Sequence, residues 1–504
     1  MTGSLYGSTE PAAVQREQFR TGEIPVAVYG LGKMGLPLAA VYAEHTGNVT
    51  GVDVDESVVE RVNAGESPVQ GEPGLDPLVA SLVDEGALRA TTDATNAARD
   101  ASIHVVVVPT LVDEARRPDL SAVEAVAEEV ATGLEPGDLV VLESTMPPGA
   151  TADVVSPILV EGSDCAAWSF GVAVCPERTS SGRALEDVRG THPKVVGGTD
   201  EESGRVAELM YGELVDNEIV RVDDATTAEA VKVFEGLYRD VNIALANDLA
   251  RLTDAFGVDV REAIDAANTQ PYCDIHTPGP GVGGHCIPYY PYFVLNWLDR
   301  DVPTLSTARG VNDAMPRFVV DRVAEGLAAW GPDEATPPDG ASTADGPTAL
   351  ADGPPNNVPD RLSDGPSDAP SEAPGNPPAD AVPDRPTDSL DQSTVAVLGL
   401  TYRAGVRETR ASPGIDICEE LADRGATVLA ADPLVDADGV PATDVTVGEL
   451  PARAPDAAVL ATAHEAFDAV DWEAMPPAIV VDGRDVLDLS DTQHRQYTVG
   501  RGWS

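Results

Sequence analysis

Ile24-Pro25-Val26-Ala27-Val28-Tyr29-Gly30-Leu31-Gly32-Lys33-Met34-Gly35 is the stretch that decides the fold. An apolar run of strand length passes into a glycine-rich turn, and the residues on to about His45 read as a helix. A second apolar run ends at Gly51-Val52-Asp53, so an acidic residue stands about 20 positions beyond the glycines. Strand, glycine turn, helix, strand and carboxylate together make a dinucleotide-binding context, which a lone GxGxxG does not. In it Gly30 makes the turn, Gly32 admits the pyrophosphate and Gly35 lets helix and strand pack, with Leu31 and Met34 in the same cofactor-binding turn. Asp53 would accept from the ribose hydroxyls and repel a 2′-phosphate, so NAD is expected rather than NADP.

Working outward, further strands are predicted over 103–108, 139–142 and 171–174, ending in Pro109-Thr110, Glu143-Ser144-Thr145 and Cys175-Pro176-Glu177-Arg178. Ligands of open α/β sheets sit at the carboxyl ends of the strands, which places Thr110, Glu143, Ser144 and Thr145 near the nicotinamide. Capping a helix is the commoner job for a lone hydroxyl. Residues 1–22 show no periodicity and read as a disordered lead-in to an NAD-binding unit over 23–222.

From Asp223 to Phe256 the pattern turns helical, with Ala230, Phe234, Leu237, Val241 and Leu245 on one face. Lys232, Glu235, Arg239 and Asn242 fall on the other, a stripe that suits either solvent or a ligand. A helix over about 260–268 and a long one over 306–330, interrupted by Pro316, complete a helical middle over 223–330. Residues 331–393, rich in Pro, Asp, Gly, Ala and Ser, cannot bury enough apolar surface to offset their ordering entropy and read as a solvated insertion. A second doubly wound unit then occupies 394–504, with strands over 395–398, 427–431 and 457–461 and the turn Gly399-Leu400-Thr401-Tyr402-Arg403. That turn lacks the full fingerprint, so it is expected to close over the far end of a nucleotide-containing substrate. The fold class is α/β: two Rossmann-like domains joined by a helical middle with a long central helix.

Within that middle lies Pro280-Gly281-Val282-Gly283-Gly284-His285-Cys286-Ile287-Pro288-Tyr289-Tyr290-Pro291-Tyr292-Phe293. Glycines before the thiol would let backbone approach a ligand, and a helix over 288–297 would favour a Cys286 thiolate. A buried structural cysteine beside a tight turn is the other reading.

Five cysteines, an odd number with no CxxC spacing, describe neither a disulfide framework nor a metal site, and a reducing cytoplasm fits. No export leader and no apolar run of spanning length is read, so no membrane partner is expected. Net charge is −53 with 42% hydrophobic residues, so the chain is acidic yet able to build a core. Such charge is tolerable where salt screens it, which points to a salt-rich cytoplasm and away from nucleic acid. Lys33, Lys194 and Lys232 are the only lysines in a chain that otherwise uses arginine, so each invites a local reason. The sequence offers one for Lys232 only.

Together Gly30–Gly35, Glu72-Pro73-Gly74-Leu75, Glu143-Ser144-Thr145 with Pro147-Pro148-Gly149, Pro176-Glu177-Arg178, Lys232 to Ala246, Gly283-Gly284-His285-Cys286 and Gly399 to Arg410 resemble the UDP-sugar 6-dehydrogenases. His285 and Tyr238-Arg239-Asp240-Val241-Asn242 look like the branch acting on UDP-N-acetylmannosamine or UDP-N-acetylglucosamine. The resemblance implies a homodimer or larger assembly and a four-electron oxidation of the sugar's C6, with two NAD per turnover and Cys286 as nucleophile. It implies that Lys232 steadies the oxyanion and Thr145 holds a water. Glu177, Arg178, Arg239, Asn242, Gly283, His285, Arg403 and Arg410 are implied to hold the substrate. Surface glycan supply is the implied purpose. The chain departs from the family at Tyr290, where an aspartate is usual, at Gly236, where an asparagine is usual, and at Asp248, where Glu is usual. An arginine usual just upstream of the cysteine is missing after Arg261. These departures fall on the hydrolytic step, and Gly236 and Tyr290 keep a non-catalytic NAD- and nucleotide-sugar-binding protein as an alternative; UDP-N-acetylmannosamine is the leading expected substrate, with UDP-N-acetylglucosamine or UDP-glucose as the others.

Overall fold

The computed structural model describes residues 4–166, 169–179, 182–330 and 390–504. The predicted strands form as Val26–Tyr29, Val49–Val52, Ile103–Val106, Leu139–Leu142 and Gly171–Val174, and every residue in them is buried. Unbroken apolar runs are what a parallel sheet covered on both faces requires. The eight-stranded sheet has the order Ile219–Arg221, Lys194–Gly198, Gly171–Val174, Leu139–Leu142, Ile103–Val106, Val26–Tyr29, Val49–Val52, Leu88–Thr91. Its one antiparallel pairing joins Gly171–Val174 to Lys194–Gly198. The strand order reverses between Val26–Tyr29 and Ile103–Val106, so the ligand crevice of the sheet opens at Gly30.

The second sheet has seven strands around Thr394–Leu398, with Thr427–Ala431 on one side and Ala457–Leu460 on the other. It repeats the logic of the first. Asp53 accepts from Leu31 N at 2.8 Å, and Asp432 accepts from Leu400 N at 2.8 Å. A Cβ on Gly35 would lie 1.9 Å from Gly30 O, and one on Gly414 would lie 2.0 Å from Gly399 O. The second turn differs in that the same Asp432 oxygen also takes Thr401 N and Oγ1, leaving it less free to meet a ribose.

Between the sheets runs the central helix Ala225–Ala250, capped by Asp224 on Thr227 N. It packs on the helix Pro303–Asp313 through a buried polar seam: Arg309 pairs with Asp240, Asn312 Nδ2 donates to Asp240 Oδ1 at 2.9 Å, and Asn247 Nδ2 donates to Asn312 Oδ1 at 2.9 Å.

Several expectations are corrected. The lead-in holds a helix, Ala12–Arg20, with Leu5 and Phe19 buried and Phe19 edge-on to Tyr42. Its anchors are too few and too far apart to show a period. The expected helix over 306–330 divides into Pro303–Asp313 and Met315–Ala329, because Pro316 belongs to the first turn of the second helix. After the cysteine, only the single turn Tyr292–Leu295 is helical, six residues beyond the thiol. The expected insertion over 331–393 falls, apart from its last residues, outside the described residues; Leu390 is already buried in the second core.

Candidate active site

At the first turn, Gly30 has φ 98° and its Cβ would meet Val107 O at 2.6 Å, so turn and packing both demand glycine. Gly32 differs: a Cβ there would have no protein atom within 4 Å. The protein does not need that glycine for itself, which fits a backbone kept bare for a pyrophosphate. The Leu31 side chain is buried in the core and its N–H is held by Asp53, so its share in the turn is through backbone. Met34 Sδ accepts from the Thr179 hydroxyl at 3.0 Å.

At the neighbouring strand ends, Thr110 Oγ1 donates to Thr145 O at 2.6 Å and Ser144 Oγ donates to Val108 O at 2.8 Å, clamping the two loops together. Glu143 has structural partners of its own. It is buried and takes both Lys194 Nζ bonds, at 2.7 and 2.6 Å, and the Tyr211 hydroxyl. Burial pushes its carboxyl up, against the pull of Lys194. Lys194 thus has the local reason the sequence did not show.

The cysteine loop is pinned from the central helix. Asn242 Oδ1 accepts from His276 N at 2.8 Å, and Asn247 Oδ1 accepts from Gly279 N at 2.9 Å. Arg261 is buried, and donates to Pro278 O at 3.0 Å and to Val499 O at 2.7 Å. Cys286 is the one exposed cysteine of the five, whereas burial pushes the Cys418 thiol up to about 12. Tyr290 N donates to Cys286 O at 3.0 Å, so Cys286 and Tyr290 are the ends of one hydrogen-bonded turn. The Tyr290 hydroxyl lies 3.2 Å from Thr145 Oγ1. Its ring lies against the central helix at Gly236, one turn beyond Lys232. Lys232 is buried, with Nζ 3.8 Å from Glu177 Oε2. Cys286, Tyr290, Thr145, Lys232 and Glu177 therefore converge from four separate segments. Arg178 is drawn to Glu235 at 2.5 Å and Pro193 O at 2.9 Å. Arg239 stands exposed on an open groove of about 720 Å³ shared with Phe234, Tyr238 and His276.

The glycines before the thiol have a different partner from the one expected. A Cβ on Gly283 would meet Ala411 O at 2.5 Å and one on Gly284 would meet the Tyr402 ring at 3.0 Å, so they admit the second sheet's turn rather than a ligand. Gly284 N donates to Arg410 O at 2.9 Å, and Arg403 is exposed. Glu408 joins three segments: Lys33 Nζ of the first turn at 2.8 Å and His285 Nε2 at 2.8 Å. Sequence reasoning passed over Glu408, Asn247 and Arg261 because their roles rest on long-range contacts.

A dinucleotide turn, a second nucleotide-type sheet facing it and an accessible thiol between them define an NAD-dependent dehydrogenase with two nucleotide-binding halves. The chain belongs to the UDP-glucose/GDP-mannose dehydrogenase family, whose NAD binding domain matches residues 24–215, central domain 226–314 and UDP binding domain 396–489. It is 32% identical over 486 residues to UDP-N-acetyl-D-mannosamine dehydrogenase of Pyrococcus horikoshii, covering 95% of this chain and 99% of that one. It is also 32% identical over 478 residues to NDP-N-acetyl-D-galactosaminuronic acid dehydrogenase of Ralstonia nicotianae, covering 92% and 96%. The solved structure of UDP-D-ManNAc dehydrogenase from Pyrococcus horikoshii superposes with TM-score 0.77 at 30% identity over 95% of this chain and 100% of that one. The chain is an NAD-dependent UDP-sugar dehydrogenase. Among the described residues no helix is long and apolar enough to cross a membrane.

Proposed function

We propose that this dehydrogenase oxidises C6 of UDP-N-acetyl-D-mannosamine from alcohol to carboxylate through a covalent adduct on Cys286. The observation that carries the reading is the exposed Cys286 thiol set one turn from Tyr290, which reaches Thr145, beside the face of the central helix that holds Lys232. NAD, when bound, would supply the acceptor for one hydride at each oxidation, so two NAD are used per sugar. After the first oxidation the Cys286 thiolate adds to the aldehyde carbon, giving a thiohemiacetal; loss of the second hydride leaves a thioester, which water hydrolyses to the uronate and the free thiol. The thiol keeps the aldehyde bound between the two oxidations. Lys232 is a buried cation suited to a developing oxyanion, and Glu177 positions it. Thr145 holds the water. Glu177, Arg178, His285, Arg403 and Arg410 are the side chains proposed to hold the sugar nucleotide between the two sheets, while Gly283 makes room for Ala411 and Asn242 fixes the cysteine loop.

A second reading, another N-acetylhexosamine with the same chemistry, is favoured by the Ralstonia relative at the same identity. Ranking kcat/KM for UDP-N-acetylmannosamine, UDP-N-acetylglucosamine, UDP-N-acetylgalactosamine and UDP-glucose tests both. A preference for UDP-N-acetylmannosamine supports the first reading, and a preference for any other sugar overturns it.

Pairing of two copies through the central helix is supported by Phe234, Tyr238 and Leu245, large apolar side chains about half exposed along one stripe. Sedimentation should show a dimer or larger assembly that Phe234→Asp with Leu245→Asp dissociates; a monomeric wild type would overturn this. The acid-rich composition and free cysteines support a reducing, salt-rich cytoplasm.

A further inference from the structure

Two departures that look separately like losses touch each other. Gly236 lies inside the central helix, where glycine costs about 1 kcal/mol relative to alanine and needs a reason. The reason is Tyr290: a Cβ on Gly236 would stand 2.2 Å from its Cδ2, 3.0 Å from its Cγ and 3.1 Å from its Cβ. The tyrosine is locked where it is. Its ring is buried, packs 5.7 Å from the Phe293 ring, and its N–H closes the turn onto Cys286. Its hydroxyl meets the Thr145 hydroxyl at 3.2 Å, and its backbone N–H is bonded to the Cys286 carbonyl at 3.0 Å, so phenol and thiol rise from one turn.

We propose that Tyr290 is a further catalytic residue of this dehydrogenase, its phenol donating to the Cys286 sulfur while accepting from Thr145, and that Gly236 is glycine because the phenol ring needs its place. This rests on the thioester route proposed above. The direction follows from chemistry at the step itself: sulfur leaving as thiolate only accepts, so the phenol O–H then points to sulfur and the Thr145 O–H points to the phenol oxygen. Burial, then the neighbouring thiol, pushes the Tyr290 pKa well up, so the phenol keeps its proton at neutral pH and is a donor throughout. Its work falls on hydrolysis. Water adds to the thioester carbon, the tetrahedral oxyanion collapses, the C–S bond breaks and sulfur leaves with the electron pair as thiolate. The phenol stabilises that charge by hydrogen bonding without giving up its proton, and the water's protons pass to solvent. The donor thus serves the leaving group where the family usually carries a carboxylate.

The test is pre-steady-state NADH formation, with intact-mass detection of the acyl-enzyme, on wild type, Tyr290→Phe, Gly236→Ala and Gly236→Ala/Tyr290→Asp. Tyr290→Phe keeps the ring and the fold. It should still give a rapid NADH burst, then a steady rate lower by about ten- to a hundredfold, the worth of one hydrogen bond to a charged group. The sugar acyl mass should then accumulate on the enzyme. Gly236→Ala, which displaces the ring, should match that partitioning with a lower melting temperature, and adding Tyr290→Asp should restore the melting temperature. A Tyr290→Phe enzyme with wild-type burst-to-steady ratio and no accumulated adduct overturns the proposal, as does a Gly236→Ala melting temperature that Tyr290→Asp leaves unchanged. If Cys286→Ser still yields two NADH per sugar, the thioester reading itself has failed and the role of Tyr290 with it. Those outcomes are separable.

Discussion

Glu408→Ala should loosen the two nucleotide-binding halves from each other. The carboxylate bridges Lys33, in the dinucleotide turn, and His285, next to the nucleophile, each at 2.8 Å. Its side chain is only 20% exposed, but that of Lys33 is 50% exposed, so the lysine arm is discounted to about 0.2–1 kcal/mol, as for a surface pair. The arm to His285 adds about 1 kcal/mol as an ordinary hydrogen bond. The sum, about 1–2 kcal/mol, corresponds to about a 5- to 30-fold loss of the closed arrangement. Because Lys33 lies in the dinucleotide turn and His285 beside Cys286, the loss should appear as raised KM for NAD and for the UDP-sugar with a smaller change in kcat. Burial raises the Glu408 carboxyl, but the bonds from Lys33 and His285 outweigh it and hold the pKa below the ordinary 4.5. A depressed carboxyl contributes fully above that ordinary value and loses its contribution as pH falls through the depressed one. Between pH 6 and 8 the difference between wild type and Glu408→Ala should therefore owe nothing to titration of Glu408. Initial rates across both substrates measure this. Unchanged KM values for both would refute the bridging role.

Gly32→Ala should leave the melting temperature unchanged, since no protein atom lies within 4 Å of the new Cβ, while weakening NAD binding by about tenfold or more. Gly35→Ala, whose Cβ meets Gly30 O at 1.9 Å, should instead cost about 3 kcal/mol or more of stability; calorimetry and NAD titration separate the two. Arg309→Met leaves Asp240 charged and buried, and should destabilise by about 3–5 kcal/mol in denaturant unfolding, most of it recovered by adding Asp240→Leu. With a net charge of −53, the melting temperature should rise as KCl goes from about 0.1 to 1 M and the Debye length falls from about 10 to 3 Å; a flat or falling curve would contradict the salt-rich assignment.

The central strands of both sheets were legible because they are mostly apolar runs closed by glycine and acidic residues, whereas outer strands such as Leu88–Thr91, Ile219–Arg221 and Arg495–Thr498 carry charged or polar residues and gave no such local signal. The central helix was legible in extent but not in orientation. Periodicity assigned Phe234 and Leu245 to the buried face, yet they are exposed, while Lys232, Gly236, Asp240 and Asn247 face inward. The two faces are mixed: Leu237 of the apolar set is buried against Phe293, Arg239 of the polar set is exposed, and the buried side carries Lys232 and the polar seam because those groups find partners there. The glycines around 283 were read for a ligand and serve the second sheet's turn, since φ and spacing do not name the neighbour. Tyr290 and Gly236 each read as a missing polar group. Only their contact shows that one makes room for the other.

The account's central claim is the covalent role of Cys286, and its most direct measurement is NADH formed per molecule of UDP-N-acetylmannosamine consumed, in concentrated KCl, for wild type and Cys286→Ser. Two NADH per sugar in wild type, falling to stalled or absent turnover in the variant, is the predicted result. Two NADH per sugar from Cys286→Ser at an undiminished rate would contradict it.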